Sequence, residues 1–173
     1  MREGVLAVFL LLAAAPAAAE VKSSSAAGFE VQNKAIVAAS PTDAYAALAR
    51  IGEWWNPEHS YSGKAESLSL DPRAGGCFCE KLDGGGTIEH LRVVYAQPGQ
   101  MLRLQGGLGP LQAQAAAGTL TWMLKPAANG TEISQTYVVG GYIAGGAEKL
   151  APIVDRVLAE QLRRLQQKLG PGR

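Results

Sequence analysis

Glu80, Glu89 and His90 are the residues best placed to do chemistry. They flank the Gly-rich turn 83–86, and the stretches on either side, 77–82 and 87–96, read as the two strands of a hairpin. A two-residue turn at Gly84-Gly85 sets Glu80 opposite Glu89 and Cys79 opposite His90. Facing carboxylates repel unless they share a proton or a cation, and such a pair inside a cavity can do acid–base work. A three-residue turn instead sets Lys81 against Glu89 and Glu80 against His90, which pairs every charge and requires no function. The sequence leaves both registers open, with Glu80, Glu89 and His90 as the candidate catalytic residues.

In the first register Cys77, Cys79, His90 and Arg92 share a face. Two thiols and an imidazole suit zinc or copper, but no fourth ligand is evident and an arginine on the same face opposes a cation. No metal site is assigned, and no cofactor is expected. Alternate residues of a strand stand about 6–7 Å apart, a poor span for a disulfide. The two cysteines are therefore expected as buried, reduced, small hydrophobes, with a strained or redox-labile bond between them as the alternative.

The candidate ligand-binding residues are mostly aromatic. Trp54, Trp55, His59 and Tyr61 cluster at the end of the first helical segment. Trp122, Gln135 and Tyr137 lie on the last two predicted strands, where polar groups among apolar neighbours need partners that a ligand could supply. Tyr142 lies among paired glycines, 140–141 and 145–146, in a segment that reads as a flap over a cavity mouth. No nucleophile elbow, dinucleotide fingerprint or phosphate loop is present.

The elements that must position these residues follow from periodicity. Residues 147–169 carry Leu150, Ile153, Val154, Val157, Leu158, Leu162, Leu165 and Leu169 at helical spacing. This stripe holds aliphatic residues alone, so any chemistry is expected from the strands. Pro152 belongs to the first turn of that helix or marks a kink. Near the other end, 29–39 alternates as a strand, and Ser40-Pro41-Thr42-Asp43 opens a helix with a cap, a first-turn proline and an acid at the positive end. A short helical turn is expected at 54–57. Further strands fall at 66–70, 77–82, 87–96, 100–105, 119–125 and 131–139, joined by short turns. That order implies an antiparallel sheet with helices on one side, an α+β domain.

The chain has 173 residues and a net charge of +1. Arg2, the apolar run 5–15 and the small residues 17–19 read as a secretory signal cut after Ala19, which predicts export to a bacterial periplasm or beyond. Residues 20–28 read as a flexible leader, and 29–170 as one domain. Removing 1–19 takes away Arg2 and Glu3 and leaves the charge balance unchanged. With no basic stripe, nucleic acid is not an expected partner, and no membrane anchor is expected once the signal is cleaved.

Several stretches resemble the START-like, helix-grip SRPBCC superfamily, which includes polyketide cyclases, pollen-allergen-type carriers and chaperone-ATPase-activator homologues. They are Ala39-Ser40-Pro41-Thr42-Asp43-Ala44-Tyr45, Trp54-Trp55-Asn56-Pro57, Leu70-Asp71-Pro72-Arg73-Ala74-Gly75-Gly76, the bend 95–102, and Asn129-Gly130-Thr131-Glu132-Ile133. The resemblance implies a curved antiparallel sheet of six to seven strands, two short helices after the first strand, and a long C-terminal helix across the sheet. It also implies a cavity between sheet and helix for a small apolar or amphipathic molecule, with Trp54, Trp55, His59 and Tyr61 near one mouth. An enzyme of the cyclase, dehydratase or hydrolase type and a ligand-free protein-interaction module are the alternatives. Expected export argues against the chaperone-activator role.

Overall fold

The computed structural model describes residues 19–172. The expected signal, 1–19, lies outside that range except for Ala19. Eight strands form one antiparallel sheet: β1 (Ala19–Ser25), β2 (Gly28–Val37), β3 (Leu68–Leu70), β4 (Cys77–Lys81), β5 (Thr87–Gln97), β6 (Met101–Gly106), β7 (Ala115–Ala127) and β8 (Gly130–Tyr142). Their order across the sheet is β1-β2-β8-β7-β6-β5-β4-β3. Helix α1 (Pro41–Ala49) follows β2, and helix α2 (Ala147–Leu169) ends the fold. No helix among the described residues is long and apolar enough to cross a membrane.

The local chemistry explains most boundaries. Ser40 caps α1, its Oγ accepting from the Asp43 N–H at 3.2 Å, with Pro41 at the first helical position. In β2, Phe29, Val31, Ala35 and Val37 face inward. The region after α1 holds 3-10 turns, Ile51–Glu53 and Pro57–His59, in place of a second short helix. Asn56 caps the latter turn, accepting from the Glu58 N–H at 3.1 Å.

Two expectations are corrected. Residues 20–28 are not a free leader, because β1 pairs along β2 from Ala19↔Asn33 to Ser25↔Gly28 and Val21 packs on the core. Small polar residues carry as many backbone donors and acceptors as any others, and the open edge of β2 uses them. The inward face of α2 is not purely aliphatic either. Ala147, Ala151, Asp155, Leu158, Gln161, Leu162 and Leu165 are the residues it buries, whereas Ile153 is 46% exposed. Asp155 lies beside Asn33 and the Glu20 backbone. Burial pushes its carboxyl above the ordinary value, and these two neighbours partly oppose the shift. Pro152 stands inside the helix, beyond its first turn.

The core lies between the sheet's inner face and the two helices. Trp122, Leu124, Ile133 and Tyr137 are buried there, four side chains from the paired strands β7 and β8. Tyr137 fits because Gly118 lacks a side chain: a Cβ there would sit 2.3 Å from the ring. The Tyr137 hydroxyl donates to the Gly106 carbonyl at 3.0 Å and accepts from the Leu108 N–H at 3.2 Å, so the ring also ties down the loop after β6. Burial raises its pKa to about 12. Gly118→Ala is expected to cost about 1–3 kcal/mol through overpacking. Urea unfolding of this variant, of Tyr137→Leu and of the double variant should show strong non-additivity; additive losses would mean that the ring and the glycine do not constrain one another.

Candidate functional site

A cavity of about 410 Å³ opens between the N-terminal half of α2, the loops 55–61 and 108–110, and the inner ends of β4 and β5. Leu150, Ile153, Val154, Val157 and Leu158 form its helical wall. Two apolar faces of one helix are thus at work, one docked on the sheet and one lining the cavity. Polar contacts hold α2 to the loop: Gln161 Oε1 accepts from the Asn56 N–H at 2.7 Å, Glu160 Oε1 from Asn56 Nδ2 at 2.7 Å, and the Trp54 carbonyl from Arg164 Nε at 2.8 Å.

The opposite wall is aromatic. Trp55 meets Phe78 edge-on at 5.2 Å between ring centroids, Phe78 meets His90 at 4.7 Å, and Tyr61 stacks over His90 at 5.9 Å. All four rings line the cavity. The Tyr61 hydroxyl donates to the Gly109 carbonyl at 3.0 Å, joining the two loops at the rim.

His90 reaches the cavity through a β-bulge. The pairs Cys77↔Arg92 and Phe78↔Leu91 are followed by Cys79↔Glu89, Glu80↔Ile88 and Lys81↔Thr87. His90 is the unmatched residue, so it and Leu91 both turn inward. Neither expected register holds, because a wider loop across 82–86 and the bulge replace a two- or three-residue turn. Glu80 and Glu89 do not face each other: Glu89 points outward and pairs with Arg92, while Glu80 is buried.

The bulge also takes His90 away from Cys77, Cys79 and Arg92, with which the two-residue turn would have grouped it on one face. Cys79 stands opposite Glu89, with His90 turned inward. Cys77 and Cys79 are half-buried and joined in a disulfide, contrary to the expectation of buried thiols. Their Cα atoms are 5.4 Å apart, closer than alternate residues of a regular strand and within disulfide range. Among the described residues no three His, Cys, Asp or Glu side chains gather as a metal-binding group.

Glu80 and His90 form a buried pair, His90 Nε2 lying 2.9 Å from Glu80 Oε2. Glu80 Oε2 also accepts from the Tyr61 N–H at 3.1 Å, and Oε1 accepts from the Ser62 N–H. Burial pushes the Glu80 carboxyl upward, but bonds from Ser62, Tyr61 and His90 outweigh it and hold the group below its ordinary value. Burial pushes His90 below its ordinary value, more strongly than Glu80 pulls it back. The pair is therefore a carboxylate and a neutral imidazole, a hydrogen bond with one net negative charge.

The remaining candidates divide clearly. Trp55, His59 and Tyr61 line the cavity with His90. Trp54 turns away, its Nε1 donating to the Ala47 carbonyl at 3.1 Å. Trp122, Gln135 and Tyr137 are core residues outside the cavity wall. The Gln135 amide lies between the Leu158 carbonyl and Trp122 Nε1, and satisfies both at 3.1 Å once its nitrogen is assigned to the Leu158 side. Tyr142 ends β8 paired with Ala115, is 71% exposed and does not line the cavity, while Ile143 beside it is buried. Phe78, Leu108 and Pro110 are wall residues that sequence reasoning missed. Inward alternation of Phe78 with Glu80 was the available signal for the first.

Acid should weaken the fold in two stages. Neutral burial of His90 costs nothing above the ordinary value of 6.5; below it the unfolded chain gains a proton that the folded chain refuses, so stability falls. Glu80 contributes fully above its ordinary 4.5, and that contribution is lost as pH drops through its lower folded value. Unfolding midpoints measured between about pH 7.5 and 5.5 should decline for the natural chain and stay nearly level for His90→Asn. Equal declines in both would place the titration elsewhere.

No protein-family model and no curated protein sequence matches the chain. Solved structures do match in shape. An uncharacterized protein from Rhizobium leguminosarum superposes with a TM-score of 0.61 at 16% identity, covering 90% of this chain and 98% of its own. CalU16 from Micromonospora echinospora gives 0.58 at 14% identity, covering 90% and 85%. The di-domain ARO/CYC protein StfQ of the steffimycin biosynthetic pathway gives 0.56 at 15% identity, covering 83% of this chain and 51% of its own. Likeness at such identities is one of fold, and the fold, an antiparallel sheet with a long C-terminal helix across it, is the helix-grip fold.

Proposed function

We propose that the protein binds a small apolar or amphipathic molecule in the cavity between its sheet and α2. The observation that carries this reading is the 410 Å³ space walled by aliphatic side chains of α2 on one side and four aromatic rings on the other. Such a lining, with a few polar groups, is typical of small-molecule sites. Export to an oxidising compartment belongs to the same reading, supported by the Cys77–Cys79 disulfide.

The buried Glu80–His90 contact supports a second reading, an acid–base enzyme of the cyclase or dehydratase type with His90 as general base. Glu89 takes no part in it, since its side chain lies on the outer face. The fold shared with an ARO/CYC protein agrees with either reading.

Native mass spectrometry of the purified protein and organic extraction should reveal a retained or captured apolar molecule. Val157→Trp, which fills the cavity from α2, should weaken uptake of an aromatic fluorescent probe at least about tenfold, some 1.4 kcal/mol, with little change in the unfolding midpoint. A chain that takes up no apolar molecule, or binds equally well with the cavity filled, would sink the proposal. Chemical conversion of the bound molecule, lost in His90→Asn, would move the assignment to the enzyme.

A further inference from the structure

His90 has one nitrogen committed and one free. Nε2 faces the Glu80 carboxylate, which only accepts hydrogen bonds and already holds the Tyr61 and Ser62 amides. The imidazole proton must therefore reside on Nε2, leaving Nδ1 as a lone-pair acceptor. Among the described residues no donor reaches Nδ1, and the ring is part of the cavity wall.

The other polar groups of that wall are satisfied or lie near its rim. Trp55 Nε1 donates to the His59 carbonyl at 2.9 Å, the Tyr61 hydroxyl to Gly109, and Ser60 Oγ to the Pro57 carbonyl at 2.7 Å. His59 faces Glu160 at 3.4 Å, and Glu58 is exposed. Among the described residues, Nδ1 of His90 is thus the one acceptor that a buried side chain of the wall offers without a hydrogen bond from the protein. Around it stand the rings of Tyr61 and Phe78, and across the space the aliphatic wall of α2. Flat rings stack well against such surfaces, and a donor on the ring would complete the histidine.

We infer that the cavity selects a flat aromatic molecule carrying a hydroxyl group, and that this hydroxyl donates to His90 Nδ1. This rests on the proposed cavity binding and adds to it the chemical class of the ligand and its point of recognition.

A matched pair of probes tests it: 2-naphthol and 2-methoxynaphthalene, titrated into the full domain by calorimetry. The ether is the more apolar of the two, so hydrophobicity alone ranks it first. Wild-type protein should prefer the naphthol at least about tenfold, some 1.4 kcal/mol, and His90→Phe, which keeps a ring and removes the acceptor, should lose that preference. Should His90→Phe fail to fold, ¹⁵N-histidine spectra of the wild type serve instead: the Nδ1 resonance should shift with the naphthol and stay put with the ether. Equal binding of both probes, or an unmoved Nδ1 resonance with naphthol bound, overturns the inference and leaves the cavity reading standing. Binding of neither probe overturns the inference, and the cavity reading falls with it only where native mass spectrometry and extraction also find no apolar molecule.

Discussion

A carboxylate stays ionised inside a protein only where donors surround it, and the geometry of this cavity follows from how Glu80 meets that demand. Its donors come from two directions. The backbone N–H groups of Tyr61 and Ser62 fix the loop after the 57–59 turn, and His90 arrives from β5. That last contact exists because one extra residue in β5 turns His90 inward beside Leu91. Buried charges seldom repay their desolvation, and an apolar floor would serve stability as well. What the charge supplies is specification: one position for the Tyr61 loop, one orientation and one tautomer for the imidazole.

Helix α2 explains why a cavity remains at all. Its C-terminal half is pinned by Gln161 and Arg164 to the loop 54–56, by Lys168 to Glu53 at 2.9 Å, and by the Gly170 carbonyl to the Ala38 N–H at 2.9 Å. Its N-terminal half approaches the sheet through small residues, Ala147 and Ala151, and through Asp155. On the neighbouring flank Val154 and Val157 are only partly buried and line the cavity, Val154 also touching the edge of the core. A stripe too wide for one surface is divided between a docking face and a lining face.

That division sets what was legible in the sequence. Spacing of Leu158, Leu162 and Leu165 located α2 at 147–169, and Ser40-Pro41 located the start of α1, because both signals are local. Alternation likewise located β2 and most later strands, and their order led to the helix-grip fold. Alternation assigns a residue to a face, however, and cannot separate core from cavity wall. Trp122, Gln135 and Tyr137 face inward as read, yet they satisfy one another and the backbone. Trp54 and Trp55 look equivalent in sequence, but their indole N–H groups donate to carbonyls of different segments, and Trp55 alone lines the cavity. The bulge, the 82–86 loop and the β1–β2 pairing escaped because each is a property of two strands together, which no single stretch encodes.

The same pairwise accounting weighs carrier against enzyme. Proton abstraction needs a base and, facing it, a donor that stabilises the charge developing on the substrate. On the enzyme reading His90 would be the base. The side-chain donors around it are engaged elsewhere, Trp55 Nε1 on the His59 carbonyl and the Tyr61 hydroxyl on Gly109, and the facing wall of α2 is aliphatic. An acceptor without an opposing electrophile orients a bound molecule more readily than it transforms one. For the enzyme reading, a Tyr61 hydroxyl released from Gly109 would bring one such donor toward the cavity, whereas the binding reading leaves that rim contact in place.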